Sequence, residues 1–325
     1  MTDTSEDTRW MGAAIALADR ARGRTHPNPE VGCVIVARGR VVGRGWTQPG
    51  GRPHAEAMAL AEAGDEAAGA DIYVTLEPCA HTSPRGPACA DLLVAARPAR
   101  VVAALGDPDP RTNGQGFDRL RAAGIAVTSG VRAAEARRTM AGFLTRQRLG
   151  RPHVTLKLAT SLDGQIALAS GESRWITGEA ARAHAHLERA RANAILVGRG
   201  TLEADAPKLD VRLAGLEDRS PRRALLSRGA APEGWERLDT PAAIAGLDAS
   251  WLLVEGGAGA AAAFLAADLV DRLLLYRAPI LIGAGRPALG DIGLVRLADA
   301  HGRWTMLDSR PLGSDRIEVY ERRRD

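Results

Sequence analysis

The stretch RPHAEAMAL, residues 52–60, carries a histidine and a carboxylate two positions apart where an alanine-rich segment begins. In a regular helix, positions i and i+2 point about 200° apart, at roughly 100° per residue. His54 and Glu56 can therefore share a target only if His54 sits at the non-helical mouth of the helix. Downstream, YVTLEPCAHTSPRGPACADLL (73–93) places Cys79 at the end of a strand and Cys89 at the start of a helix. At such junctions free N–H groups and the helix dipole favour thiolate. One neutral imidazole and two thiolates balance a Zn²⁺ ion and leave its fourth tetrahedral position to water. The pKa of that water falls to about 7. Glu56, close to the metal but not on it, can take the water proton and pass it to a leaving amine. The bland reading is a surface histidine with two inert buried cysteines. Cys33, inside the apolar strand VGCVIV, has no such company and reads as core.

The pattern H-x-E…P-C…C is the signature of the zinc nucleoside and nucleobase deaminases, here with a wider cysteine spacing than C-x-x-C. Its surroundings are more specific. HPNPEVGCVIV, HAE, YVTLEPCAH and Cys89 together resemble the bifunctional deaminase/reductase family of riboflavin biosynthesis. RPHVTLKLATSLDGQIALASGESRWITGEAAR (151–182), RARANAILVGRGTLEADAPKLDVR (189–212) and LLVEGGAG (252–259) carry the same resemblance, which spans about 9 to 320. It implies an α/β fold: a cytidine-deaminase-like three-layer domain at residues 1–147, then a dihydrofolate-reductase-like α/β domain at 148–325 that uses NADPH. It implies that Asn28 and His81 contact the pyrimidine, with Arg85 in place of a basic residue near the phosphate. NADPH contacts are implied for Ala159, Trp175, Thr201, Asp205, Ser227 and the turn containing Gly257, Ala258 and Gly259. Substrate contacts are implied for Ser173, Arg189, Leu209, Arg212 and Glu255. The cysteine loop PCAHTSPRGPAC is one residue longer than the family's usual P-C-x-H-x-G-[KR]-T-P-P-C, and Thr47 stands where the family often has histidine. The segment 227–250 is shorter than usual, where family members have an additional strand.

The residues themselves support part of this. EGGAGAAAAF (255–264) is a glycine-rich turn opening a helix after an apolar strand, an arrangement that offers N–H groups to a phosphate. It lacks the G-x-G-x-x-G and following acidic residue of a Rossmann unit, which excludes that fold. Arg212 suits a phosphorylated substrate because arginine binds phosphate bidentately. Trp175 could instead be core, Asp205 a loop cap and Arg189 an exposed helical arginine. His184 and His186, at i and i+2 of one helix, read as structural or solvated. No side chain of the second half stands out as an obligatory acid or base.

The elements that must position these residues follow from periodicity. Helices are expected at 10–21, 54–64, 89–97, 117–124 and 133–147, and strands at 31–37, 40–45, 71–76, 100–105 and 125–130. Gly150 and Pro152 break the chain, and the domain boundary falls near 145–152. The alternation restarts with strands at 153–159, 194–198, 251–257 and 271–276, and helices at 179–190 and up to 267. Alternating β and α elements indicate layered α/β domains with parallel strands.

Composition sets the frame. The 325 residues are 45% hydrophobic and 25% charged, with a formal net charge of +4, ordinary for a globular protein of two domains. Lys157 and Lys208 are the only lysines, and the arginines are spread along both halves, so no basic stripe marks a nucleic-acid surface. The arginines of the tail, 322–324, read as a frayed terminus. No apolar run reaches the roughly 18–20 residues that span a bilayer. Three cysteines argue against a disulfide framework and for the cytoplasm. The expected partner is a small phosphorylated pyrimidine, with no nucleic acid or membrane, and a homodimer or higher homo-oligomer is the family expectation. Rival readings are a second domain unable to reduce, a nucleic-acid base deaminase with an accessory domain, and a zinc-stabilised binding module without turnover.

Overall fold

Alanines and β-branched residues, with few aromatics, build both halves of the chain. A computed structural model describes residues 5–81 and 84–324, and divides into two compact units between Gly150 and Arg151. The first unit begins with α1 (Ser5–Ala18), extended by a 3₁₀ turn to Ala21, and the hairpin β1 (Gly32–Ala37) and β2 (Arg40–Trp46). Arg38 and Gly39, which join the hairpin strands, both have positive φ. That is the two-residue turn whose twist matches a hairpin. Next come α2 (Ala55–Ala63), β3 (Asp71–Val74), α3 (Cys89–Ala96), β4 (Arg100–Ala103), α4 (Gln115–Ala122), β5 (Ala126–Ser129), α5 (Ala133–Thr139) and α6 (Ala141–Leu149). The single helix expected over 133–147 is thus two, broken at Met140, whose φ of −108° and ψ of 24° leave the helical region.

The sheet order is β2-β1-β3-β4-β5, antiparallel from β2 to β3 and parallel from β3 to β5. Helices cover both faces, and small residues set how close they come. A Cβ on Gly32 would lie 1.9 Å from the Ala14 carbonyl of α1, whereas Cβ atoms on Gly43 and Gly45 would lie 2.2 and 2.0 Å from the Ala59 and Ala55 carbonyls of α2. Gly45 pairs with Cys33, the neighbour of Gly32, and adjacent strand residues face opposite sides. So α1 and α2 sandwich the sheet, and α2 rests directly on the backbone of β2. That contact fixes the helix whose first turn carries His54 and Glu56. Cys33 is fully buried core.

The second unit contains β6 (His153–Thr160), β7 (Gln165–Ala167), α7 (Glu179–Ala190), β8 (Ala194–Gly198), α8 (Arg199–Asp205), β9 (Arg222–Leu226) and β10 (Glu236–Leu238). It continues with β11 (Trp251–Val254), α9 (Ala258–Ala266), β12 (Arg272–Arg277), β13 (Arg286–Pro287), β14 (Trp304–Leu312) and β15 (Asp315–Arg322). Its main sheet has the order β10-β9-β8-β11-β6-β12-β15-β14. The strands from β10 to β12 are parallel, and β15 and β14 close the edge antiparallel.

Two expectations change here. The shortened segment 227–250 does contain a strand, β10, paired in parallel with β9. The tail is not frayed. β15 runs to Arg322, whose Nε donates to Asp268 Oδ1 at 2.8 Å, and Arg324 pairs with Asp271. Asp271 is also held by both Nη atoms of Arg151, at 2.7 and 2.9 Å. The tail is therefore anchored by buried carboxylate chemistry that no run of arginines reveals by itself.

Candidate active sites

In the first unit, His54 is the N-cap of α2, with extended backbone at φ −74° and ψ 164°. That geometry turns its ring away from the helix while Glu56 stays in the first turn, so the two side chains reach one place despite their i, i+2 spacing. Cys89 is the first residue of α3. Nδ1 of His54 lies 3.3 Å from Sγ of Cys89 and 3.6 Å from Sγ of Cys79, and all three donor atoms lie within 4.8 Å of one another. Bond lengths of about 2.0–2.3 Å to a tetrahedral zinc place its ligand atoms about 3.5–3.8 Å apart. The donor set and its spacing fit zinc.

The electrostatics agree. The Cys79 thiol is drawn down to about 4 by its hydrogen bond with Cys89, against the opposing effect of burial, with further help from His54 and the Cys89 backbone N–H at 3.3 Å. Cys89 is pushed up by that same pairing and by burial. The two sulfurs thus compete for one proton, a situation a dication relieves. Burial raises the Glu56 carboxyl to about 7, although the His54 charge pulls it the other way.

Asn28 packs against Gly51, where a Cβ would fall 1.6 Å from Asn28 Nδ2 and where φ is +85°. Glycine is therefore required there on both counts. His81 Nδ1 lies 3.4 Å from Thr112 Oγ1, and Arg85 donates to the Gly50 carbonyl at 3.3 Å. Thr47, given no role from the sequence, accepts the Val31 N–H at 3.0 Å. Sequence reasoning missed Glu77. Its buried carboxylate accepts the backbone N–H groups of Asp107 (3.1 Å), Gly114 (3.0 Å), Gly116 (2.9 Å) and Phe117 (3.3 Å). It ties the loop carrying Thr112 to the strand end carrying Cys79. A glutamate at the end of an apolar strand was the available signal.

In the second unit, the carboxyl ends of β6, β8, β9 and β11 border a cleft of about 1020 Å³. Parallel sheets bind ligands at that end. Ala159, Trp175, Thr201, Asp205, Gly257, Ala258 and Gly259 line it, as do Ser173, Arg189, Leu209, Arg212 and Glu255. Ser227 does not. It stands one step back, behind Arg199. Gly257 caps α9, and its N–H donates to Thr201 Oγ1 at 2.9 Å. A Cβ on Gly259 would meet nothing within 4 Å, so this turn leaves open space before a helix N-terminus. The volume, the turn and the exposed Trp175 face fit a dinucleotide such as NADPH.

Trp175 is 65% exposed, not core, with the Arg182 guanidinium 4.8 Å from its ring centre. Arg189 is not an exposed helical arginine. Its Nε and Nη2 donate to the Glu255 carboxylate at 2.7 and 2.8 Å, and its Nη1 to the Asp210 carbonyl at 3.0 Å. Burial alone would raise Glu255, but Arg189 and the nearby Lys157 hold it below the ordinary carboxylate range. Lys157, whose Nζ is 3.9 Å from Glu255, is a cleft residue the sequence did not reveal. Arg212 remains more available: it is 61% exposed and has one loose pair, with Asp210 at 3.4 Å. His184 Nδ1 lies 2.8 Å from the Tyr276 hydroxyl, whereas His186 lines the cleft, with Nδ1 3.1 Å from the Asp210 carbonyl and 3.2 Å from the Arg212 backbone nitrogen.

Comparison with known proteins covers both units. The family described as "Cytidine and deoxycytidylate deaminase zinc-binding region" matches residues 4–105, and "RibD C-terminal domain" matches residues 152–317. The chain is 41% identical over 345 residues to the riboflavin biosynthesis protein RibD of Escherichia coli (strain K12), covering 91% of this chain and 94% of that protein. It is 42% identical over 322 residues to RibD of Mycobacterium tuberculosis (strain ATCC 25618 / H37Rv), covering 94% of each. The solved structure of Acinetobacter baumannii RibD (form 1) superposes with a TM-score of 0.88 at 36% identity, covering 98% of this chain and 99% of that one. A Thermotoga maritima structure, described as a diaminohydroxyphosphoribosylaminopyrimidine deaminase/5-amino-6-(5-phosphoribosylamino)uracil reductase, gives 0.88 at 30% identity, with coverage of 98% and 99%.

Proposed function

The chain belongs to the RibD family of bifunctional riboflavin-biosynthesis enzymes, and from that membership we propose which residues carry each half of the work. One activity is zinc-dependent hydrolytic deamination of 2,5-diamino-6-ribosylamino-4(3H)-pyrimidinone 5′-phosphate. The other is NADPH-dependent reduction of the ribosyl side chain to ribityl. The first unit carries the deamination and the second the reduction.

The observation that supports this division most strongly is the buried Glu56 beside the His54, Cys79 and Cys89 donors. Zinc held by those three residues supplies the Lewis acidity that makes water nucleophilic near neutral pH. Glu56 takes the proton that water loses on attacking C2 of the ring. It then delivers that proton to the departing 2-amino group, so ammonia leaves. Buried in the first turn of α2 beside the three donors, Glu56 is placed to take that proton and return it. Asn28 and His81 hold the pyrimidine.

In the second unit the cleft would hold NADPH, which when bound would supply hydride for reduction at C1′ of the opened sugar. Gly257, Ala258, Gly259 and the start of α9 hold its diphosphate, with Trp175, Ala159, Thr201 and Asp205 along the cleft. Ser173, Leu209 and Arg212 hold the substrate, and Arg189 fixes the Glu255 carboxylate that faces it. Arg212→Ala is expected to raise the reductase KM about 10-fold with kcat unchanged. That is the low end for a charge-assisted contact, because the guanidinium is 61% exposed. Steady-state assays with supplied deaminated intermediate read this directly. A fall in kcat with KM constant would remove Arg212 from phosphate binding.

The protein acts on a small phosphorylated pyrimidine as a homo-oligomer. The support is three large apolar side chains in the segment between β12 and β14, Leu281, Val295 and Leu297, which are 75%, 93% and 79% exposed. Sedimentation should give at least twice the chain mass of 34.3 kDa, and a monomer at micromolar concentration would overturn this part. Among the described residues no helix is long and apolar enough to cross a membrane. Metal-binding thiols this close together suit a reducing compartment, the cytoplasm.

A further inference from the structure

The chain from Ala206 to Arg212 follows α8 without regular secondary structure, yet it carries Leu209 and Arg212 into the cleft. Leu209 is 4% exposed and has a φ of +56°, a conformation that is costly for a bulky side chain and lasts only where the surroundings over-determine it. Three side chains supply that hold. Arg189 Nη1 donates to the Asp210 carbonyl at 3.0 Å, the Val211 N–H donates to Ser220 Oγ at 3.0 Å, and the Arg212 N–H lies 3.2 Å from His186 Nδ1. The same Nδ1 is 3.1 Å from the Asp210 carbonyl. His186 thus faces one backbone acceptor and one backbone donor with a single nitrogen.

That nitrogen cannot donate and accept at once. The Asp210 carbonyl already takes a charged donor from Arg189, whereas the Arg212 N–H has no other partner among the described residues. Satisfying both groups puts the lone pair on Nδ1 and the ring proton on Nε2. The surrounding charges favour the neutral ring as well. Burial, then Arg189 on the same helix and Arg212 on the segment, hold the imidazole below its usual range, against Glu255 at the end of β11 and the Asp210 backbone. The Asp210 carboxylate is paired with Arg212, and Arg182, one turn back on α7, is taken up by the Trp175 ring and the Thr177 carbonyl. We infer that His186 is the positioning residue of the substrate segment, holding Arg212 in place by accepting its backbone N–H at Nδ1 as the neutral, Nε2-protonated ring. The inference rests on the reading that Leu209 and Arg212 hold the substrate. Its consequence is a pH-sensitive hold. Protonation turns Nδ1 from acceptor into donor, so the Arg212 N–H loses its partner and substrate binding weakens as pH falls through the imidazole's lowered range.

Nitrogen-15 NMR of the full chain reads the tautomer directly, the His186 ring signals being those missing from His186→Asn. At pH about 8 the ring should be neutral and protonated on Nε2. A ring protonated on Nδ1 would overturn the inference whatever touches the substrate. Reductase kinetics with supplied deaminated intermediate read the consequence. His186→Ala removes the acceptor and should raise KM about 3- to 10-fold with kcat unchanged, the size expected of one backbone hydrogen bond. His186→Asn puts an amide oxygen where Nδ1 stood and should keep KM within about 1.5-fold of wild type. Between pH about 8 and about 5.5 the intermediate's own phosphate takes up a proton, near pH about 6, and raises KM in every variant. Wild type should rise about 2-fold or more beyond the asparagine variant, which has no ring to protonate. Equal rises would overturn the inference, as would an unchanged KM in His186→Ala. An asparagine variant as impaired as the alanine one would move the role to Nε2 and overturn it too. Were Arg212→Ala also to leave KM unchanged, the reading of the substrate segment would fall with it.

Discussion

Glu56→Gln is expected to leave the zinc site filled and to abolish deamination. The amide has the shape of the carboxylate but cannot accept a proton from water or return one to the amine. A positioned acid–base group contributes typically about 10²–10⁴-fold, and this one acts at two steps of each turnover, so kcat should fall at least toward the upper figure. Zinc should stay near one per chain, because the three donors are untouched. The fold should not suffer either. Burial raises the Glu56 carboxyl from its usual range to about 7, so the protonated form is the one the fold favours. In metal-free protein the stabilising preference is complete at pH below the ordinary carboxylate range, fades as pH rises, and is gone above about 7. Glutamine has nothing to ionise, so at pH 8 the chelated variant should melt at or above chelated wild type. Elemental analysis, ammonia release and thermal melting measure the three claims. Zinc loss with deamination intact would make Glu56 a ligand or a bystander.

The chemistry of the first unit was legible because its residue types are rare and their places are set locally. His54 and Cys89 each sit where a loop meets a helix, and Cys79 lies in the loop that follows β3; the helix starts can be read from glycine, proline and apolar periodicity alone. Other features needed the third dimension. Lys157 meets Glu255 only because β6 pairs with β11, and Glu255 meets Arg189 only because α7, packed on β12 and β15, brings its last turn to the end of β11. The β14–β15 hairpin escaped notice because Pro311 argues against a strand. β14 is the edge of its sheet, where a missing N–H is tolerated. Glu77 was hidden for a related reason: its partners lie thirty and more residues downstream, on a loop with no periodic signal. Ser227 was placed by resemblance, and the structure adds the arginine that stands between it and the cleft.

Cys79→Ser or Cys89→Ser should release the metal and stop deamination while leaving the reductase untouched. A serine hydroxyl does not ionise at neutral pH, so either change removes one of the two negative charges that balance the dication, along with a soft donor. With two protein ligands left, zinc should drop from about one per chain to near zero after dialysis, and deamination should fall to background. The second half of the expectation rests on packing. The core of the first unit, from Trp10 to Phe143, shares no side chain with the cores of the second, which run from Val154 to Val319. Reduction of supplied deaminated intermediate should stay within about 2-fold of wild type, since sites without shared partners behave additively. Chelator-treated wild type should match the variants in both assays. Full zinc content in both variants would remove the cysteines from the metal site. Loss of reductase activity with the metal would show that the two halves do not work independently.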